Sequence, residues 1–286
     1  MNPRFKEHKK FTLVLNSHSL TSFQNCEEKY RLREVEHLEL DKPYYPFVRG
    51  AIISKALQIW YMAKKKSYSD EELEKIEMFL FKRLTRSKDL NSLGPKGDGL
   101  AIGSRLMQYF EKYRHENYEI LAVEQGFSKI LYEDKNVLFI YEGRPDLVVN
   151  FGRNFGHGPI DHKSESRRFD LYSFQNQFLG YCWAMDSTMG LINYIGLQTD
   201  GKDGDVLRRE AFNFLPSQIE QWKQDTIRWY SRIMRTIVSS TYLRSWRCEE
   251  KYSLCSYTKI CEQPNERTKL IQIRDYYKKV DPHKSW

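Results

Sequence analysis

The chain has 286 residues, 40% hydrophobic, 14% aromatic and 29% charged, a composition that excludes a disordered or fibrous protein and leaves room for one large domain or two small ones. With 46 Lys and Arg against 38 Asp and Glu, the formal charge is +8, which favours polyanionic partners without specifying any chemistry. No apolar run reaches about eighteen residues and Met1-Asn2-Pro3-Arg4-Phe5-Lys6 leads into charge, so membrane spanning and export are not expected and a cytoplasmic location is.

The first predicted element is a helix from Ser19 to about Val35, capped by Ser17 or Ser19 and carrying Cys26. A loop from Lys42 to Phe47 follows, then a helix over Gly50 to Ala63 with Ile53, Leu57 and Trp60 on one stripe. Ser69 and Glu72 form a capping box ahead of Leu73, Ile76, Leu80 and Leu84, whose spacing predicts an amphipathic helix. The Gly- and Pro-rich stretch Ser87 to Leu100 reads as a loop or lid, and Ile102, Leu106, Phe110 and Tyr113 define another helix. From Tyr118 the period changes. Segments 119–132, 136–142, 146–151 and 158–163 carry a strand signature, a helix from Asp170 to Met185 crosses to strands at 191–197 and 208–214, and Pro216 opens a long helix to Ser239. The expected organisation is a single domain over 1–286, with a helical part at 17–117, a sheet core at 118–215 and a C-terminal segment at 216–286.

Cys26 lies near the start, and Cys248, Cys255 and Cys261 lie near the end with six and five residues between them. In a reducing cytosol these thiols are better used as metal ligands than as disulfides. Four of them make sense if the fold brings the two ends of the chain together around one centre, either an iron–sulfur cubane or tetrahedral zinc. Cys182, in Tyr181-Cys182-Trp183, reads as a buried small hydrophobe.

Three stretches carry groups suited to hydrolysis. In Gly143-Arg144-Pro145-Asp146 the aspartate projects from the start of an apolar strand, and in Asp161-His162-Lys163 alternation puts Asp161 and Lys163 on one face. Two carboxylates suit a hard divalent cation such as magnesium, and a nearby lysine can orient a water against a phosphodiester. Gln177 and Tyr181, four apart on a helix, share a face from which amide and phenol can hold the site or a nucleic-acid strand. His162 points away from its neighbours and is not expected to be a ligand. Arg31, Arg33, the run Lys64 to Lys66, Arg167 and Arg168 are candidate phosphate contacts.

Taken in order, Ser19-Leu20-x-x-Phe23-x-x-Cys26, Gly50, Gly143-Arg144-Pro145-Asp146, Asp161-x-Lys163, Gln177-x-x-x-Tyr181 and the C-terminal cysteine trio resemble the RecB-type branch of the PD-(D/E)xK nuclease superfamily, over about residues 17–262. The resemblance is to its iron–sulfur members, among them the AddB nuclease domain and the CRISPR-associated RecB-like exonucleases. It implies an α/β, restriction-endonuclease-like core with a central mixed sheet flanked by helices, and terminal parts joined by a metal cluster on four cysteines. It further implies magnesium or manganese on Asp146 and Asp161, Lys163 assisting the attacking water, Gln177 and Tyr181 supporting DNA binding, and a 4Fe-4S cluster on Cys26, Cys248, Cys255 and Cys261, with zinc as the alternative. The expected activity is exonucleolytic, on single-stranded DNA or a duplex end, in recombination, repair or phage DNA metabolism, with protein partners in a recombination or replication complex. The chain departs from the family at Ser54, where a metal-binding histidine often stands four residues after the motif glycine. Water or Glu124 is left to fill that gap, although Glu124 otherwise reads as an exposed strand residue. An alternative expectation is a nucleic-acid-binding or assembly module in which cleavage is weakened or lost.

Overall fold

A computed structural model describes residues 10–41, 44–153, 155–165, 175–197, 206–245, 248–250 and 253–280. Strand β1 (Phe11–Leu15) opens the described chain. Asn16, rather than Ser17 or Ser19, caps α1 (Ser17–Asn25), its side chain accepting the N–H groups of His18 and Ser19. The predicted helix then breaks. Cys26 is extended, with φ −164°, and its sulfur accepts the Lys29 N–H at the start of α2 (Glu27–Tyr30), which passes into a π-turn at Arg31–Val35. Next come β2 (Leu38–Leu40), α3 (Tyr45–Lys65), with Pro46 in its first turn, and α4 (Asp70–Thr85), which has the predicted Ser69/Glu72 capping box.

The predicted loop at 87–100 is in part helical. It forms α5 (Lys88–Leu93), anchored by the buried Leu90, and the start of α6 (Asp98–Lys112), entered through Gly97 at φ 84°, where a side chain would be strained. Then follow β3 (Glu119–Val123), β4 (Phe127–Glu133), β5 (Val137–Gly143), β6 (Leu147–Asn150) and β7 (His157–Glu165). After them come α7 (Gln175–Met185), β8 (Met189–Gly196), β9 (Leu207–Asn213) and α8 (Pro216–Ser239). The C-terminal part contributes β10 (Glu249–Glu250), β11 (Ser253–Leu254), α9 (Thr258–Cys261), α10 (Glu266–Tyr276) and β12 (Tyr277–Lys279). No helix of the described residues is long and apolar enough to cross a membrane.

The chain divides into two units. One comprises Tyr44–Phe127 and Gly143–Trp222 and contains the five-stranded sheet β3-β6-β7-β8-β9, in which β7 and β8 run parallel and the other pairs antiparallel. Its core joins Trp60 and Tyr61 of α3 and Tyr109 and Phe110 of α6 to Leu147, Val149, Ile160 and Ile195 on the sheet. Trp60 stacks on Phe110 at 4.8 Å and donates to Glu77 at 2.9 Å, so the largest apolar side chain is buried with its one polar group satisfied.

The other unit comprises Met1–Pro43, Ser128–Glu142 and Lys223–Trp286. Here β4 and β5 leave the expected single sheet and assemble as β1-β5-β4, with Phe11 opposite Val137 in parallel register. Tyr230 of α8 is buried there, its hydroxyl 2.8 Å from Ile140 O and 3.2 Å from Leu15 O. A second cluster gathers Leu32, Leu38, Tyr257, Ile260 and Tyr277, and β12 pairs antiparallel with β2. The two ends of the described chain therefore do meet. Residues 266–279 form α10 and β12, with Tyr277 buried in this cluster.

Candidate active site

The β6–β7 register, Leu147 opposite Ile160, carries Asp146 alongside Asp161. The Asp146 carboxylate accepts the His162 N–H at 2.5 Å, so the backbone of the second motif holds the first. Asp161 is only 3% exposed, and its Oδ2 lies 2.6 Å from Lys163 Nζ on the same strand face. That oxygen receives no well-directed hydrogen bond among the described residues. From α7, Gln177 donates to Asp161 Oδ1 at 3.1 Å and to the Tyr181 hydroxyl at 2.9 Å, while its own carbonyl accepts Lys163 at 3.2 Å. Tyr181 in turn donates to the Arg144 carbonyl at 3.1 Å. A Cβ on Gly143 would come within 2.5 Å of the Phe127 ring and 2.8 Å of the Tyr181 ring, so the motif glycine permits this close approach.

Glu124, expected to be an exposed strand residue, belongs to this cluster. It follows β3 in a left-handed conformation at φ 51°, and its N–H donates to Asp146 O at 2.8 Å. Its half-buried carboxylate accepts the Ser54 hydroxyl at 3.1 Å and pairs with Arg144 at 3.2 Å. Burial first, then the negative charges of Asp161 and Glu124, hold the Asp146 carboxyl well above its ordinary range, against the opposing pull of the His162 N–H and Lys163. A cation would relieve this crowding.

Behind the strand lies a buried polar network. The His162 ring stacks on Tyr61 at 5.2 Å and faces Asn193 Nδ2 at 3.1 Å. Asn193 accepts Arg209 through Oδ1, which turns its amide N–H toward Tyr109 and His162 and makes His162 Nδ1 the acceptor. Burial, helped by Arg209 and Lys163, pushes this imidazole down to about 3. Glu116 anchors the network, accepting Lys64 at 2.6 Å and Tyr118 at 2.6 Å and pairing with Arg209. Lys64 is thus a buried ion-pair partner lying 4.6 Å over Trp60, not the surface phosphate contact expected of it. Arg31 is likewise committed to Glu28 and Glu36. Arg167 and Arg168 lie outside the described residues.

Cys26, Cys248, Cys255 and Cys261 lie in the other unit. Cys26 Sγ accepts the N–H groups of Lys29 at 3.4 Å and Ser245 at 3.5 Å, and the Cys255 N–H donates to Cys248 O at 2.7 Å. Burial pushes the Cys261 thiol up to about 11, with Glu28, Cys255 and Cys26 adding to the effect and Arg244 opposing it. Cys182 is fully buried, and burial raises its thiol to about 12.

Among the described residues, no group of three or more His, Cys, Asp or Glu side chains is arranged to hold a metal ion. For the carboxylates this is no misfit, because magnesium takes one or two protein carboxylates and completes its shell with water and phosphate oxygens; the buried Asp161 Oδ2, paired with Lys163 but without a well-directed hydrogen bond, suits it. The thiols converge without closing into a ligand set.

No curated protein matches the chain. Among solved structures it is similar to that of SSO0001, at 15% identity and a TM-score of 0.38, covering 90% of this chain and 87% of that one. It is also similar to a candidate exonuclease from Eubacterium rectale, at 11% identity and a TM-score of 0.48, covering 90% and 92%. The assignment rests instead on the family profile, which matches residues 15–262 and so takes in both carboxylates, the lysine and the Gln-Tyr helix. The chain belongs to the PD-(D/E)XK nuclease superfamily.

Proposed function

We propose that this nuclease is a magnesium- or manganese-dependent deoxyribonuclease acting as an exonuclease on a single strand or duplex end. The observation that carries the reading is the Asp161–Lys163 pair, 2.6 Å apart and spanned by Gln177, beside the crowded Asp146. A divalent cation supplies, when bound, a more acidic water and neutralisation of charge on the phosphoryl oxygens. Asp146 and Asp161 present the carboxylates for it. Lys163, held by the Gln177 carbonyl, orients the attacking water and offsets the charge that develops on the phosphate. Gln177 and Tyr181 keep this arrangement in register with the Arg144 turn, and Glu124 takes the place of the family histidine missing at Ser54.

The decisive experiment is degradation of end-labelled DNA with manganese, comparing the wild type with Asp161→Ala and Lys163→Ala. Loss of at least about a hundredfold in each variant is expected, the scale of removing one preorganised charge-stabilising group. Equal activity in all three would remove this site, and an inactive wild type that still binds DNA would favour a binding or assembly module. The wider reading is of one nuclease domain over 1–286, in the RecB-type branch, serving recombination, repair or phage DNA metabolism alongside protein partners. The backbone N–H groups on Cys26 and the proximity of Cys255 and Cys261 support a 4Fe-4S cluster completed by Cys248. Anaerobically purified protein should be brown and contain iron; a colourless protein containing zinc would replace the cluster with a tetrahedral zinc site.

A further inference from the structure

Helices α3 and α4 enclose a groove of about 700 Å³ within the unit that carries the nuclease motifs. Its floor is apolar, from Ile52, Ile59 and Leu80, and Phe79 stands at its lip, 54% exposed. Lys55, Lys82, Arg83 and Arg86 line it against a single acid, Asp89. Of the acids of α4, Glu71 pairs with Lys75, Glu74 and Glu77 pair with Arg114, and Glu72 closes the capping box on Ser69. No ion pair joins Lys82, Arg83 or Arg86 to an acid among the described residues. An exposed aromatic over an apolar floor, ringed by such cations, matches the two halves of a nucleotide: a face that stacks and a phosphate that carries charge.

We propose that this groove is a second nucleic-acid subsite, which binds a segment of single-stranded DNA away from the scissile bond, its bases on Phe79 and its phosphates on Lys82, Arg83 and Arg86. The choice of ligand rests on the nuclease reading, whereas the groove's chemistry does not. A duplex turns its bases inward and cannot use Phe79; a single strand can. Ser54, at the catalytic cluster, is two residues from Ile52, and at about 100° per residue the groove occupies another flank of α3. Binding energy gained there comes from the part of the substrate that does not react.

The test is fluorescence anisotropy with a labelled oligothymidylate of about 16 nucleotides in EDTA, so that binding is read without cleavage. Phe79→Ala should weaken binding about tenfold, the scale of one lost base stack, while Phe79→Tyr retains it and a duplex of equal length is unaffected by either. The triple variant Lys82→Ala/Arg83→Ala/Arg86→Ala should lower the slope of log K against log salt by about two, since each phosphate contact on a single strand contributes about 0.7. These side chains are exposed, and unchanged circular dichroism checks the fold. A wild type that does not bind the probe, variants that match it in affinity and slope, or binding to phosphatidylserine vesicles in place of the oligonucleotide would each overturn the proposal. Asp161→Ala separates the two readings. If the wild type cleaves no better than Asp161→Ala while the groove variants still lose binding, the nuclease reading fails and the groove stands.

Discussion

Gln177 donates from Nε2 to Oδ1 of Asp161 at 3.1 Å, and the same amide accepts Lys163 through its oxygen at 3.2 Å. One neutral side chain thus fixes the two charged groups of the motif relative to each other. Gln177→Ala should lower cleavage by about ten- to a hundredfold, as expected for loss of a group that orients the reacting residues. Binding of a labelled oligonucleotide should fall less than cleavage does. Tyr181→Phe should cost less, because Gln177 keeps its bonds to Asp161 and Lys163. A Gln177→Ala enzyme with wild-type turnover would contradict this role.

The Glu124 carboxylate, fixed by Ser54 and Arg144 beside Asp146, predicts a specific effect on metal use. Glu124→Gln should raise the manganese concentration for half-maximal cleavage by about tenfold or more, and Ser54→Ala should raise it much less. An unchanged manganese titration in Glu124→Gln would return the residue to a structural part.

The buried Glu116 predicts stability rather than chemistry. Glu116→Ala leaves Lys64 and Arg209, both largely buried, without their carboxylate, and breaking such a pair costs about 3–5 kcal/mol. Urea unfolding should register that loss. A change below about 0.5 kcal/mol would mean that water or another acid replaces Glu116.

Cys182 predicts a pH dependence. Its folded thiol is raised to about 12 from an ordinary 9.0, so the unfolded chain releases this proton first. The contribution is fully present below pH 9 and is lost as pH rises toward 12, at about 1.4 kcal/mol per unit. Cys182→Ala should show a shallower decline of unfolding free energy over that window, and native wild-type Cys182 should resist maleimide at about pH 8, below the ordinary thiol range. Rapid labelling in the folded state would refute the burial.

The features legible in the sequence are those carried by short spacing. Alternation along an extended strand puts Asp161 and Lys163 on one face, a four-residue step puts Gln177 with Tyr181, and Ser69 with Glu72 marks a helix start. Glu124 escapes such a reading because its direction depends on a left-handed residue at the end of β3 and on the pairing of β3 with β6. Lys64 resembles its two lysine neighbours in sequence because Glu116, Tyr113 and Arg209, which bury it, are distant along the chain. The break at Cys26 and the helical turns after Ser87 are hidden for a related reason: the caps at Asn16, Cys26 and Gly97 are single-residue choices of backbone angle that periodicity does not register.

By itself the sequence determined which residues are candidates for chemistry and the order of most helices and strands around them, because hydrophobic period and motif spacing are local properties of the chain. Only the tertiary structure decided which strands share a sheet, drawing β4 and β5 to β1 and leaving β3, β6, β7, β8 and β9 to carry the carboxylates. The same long-range pairing brought Glu124 to Asp146 and aligned Asn193 behind His162. Strand register is set by side chains packed across the whole core, so it cannot be read from any one segment.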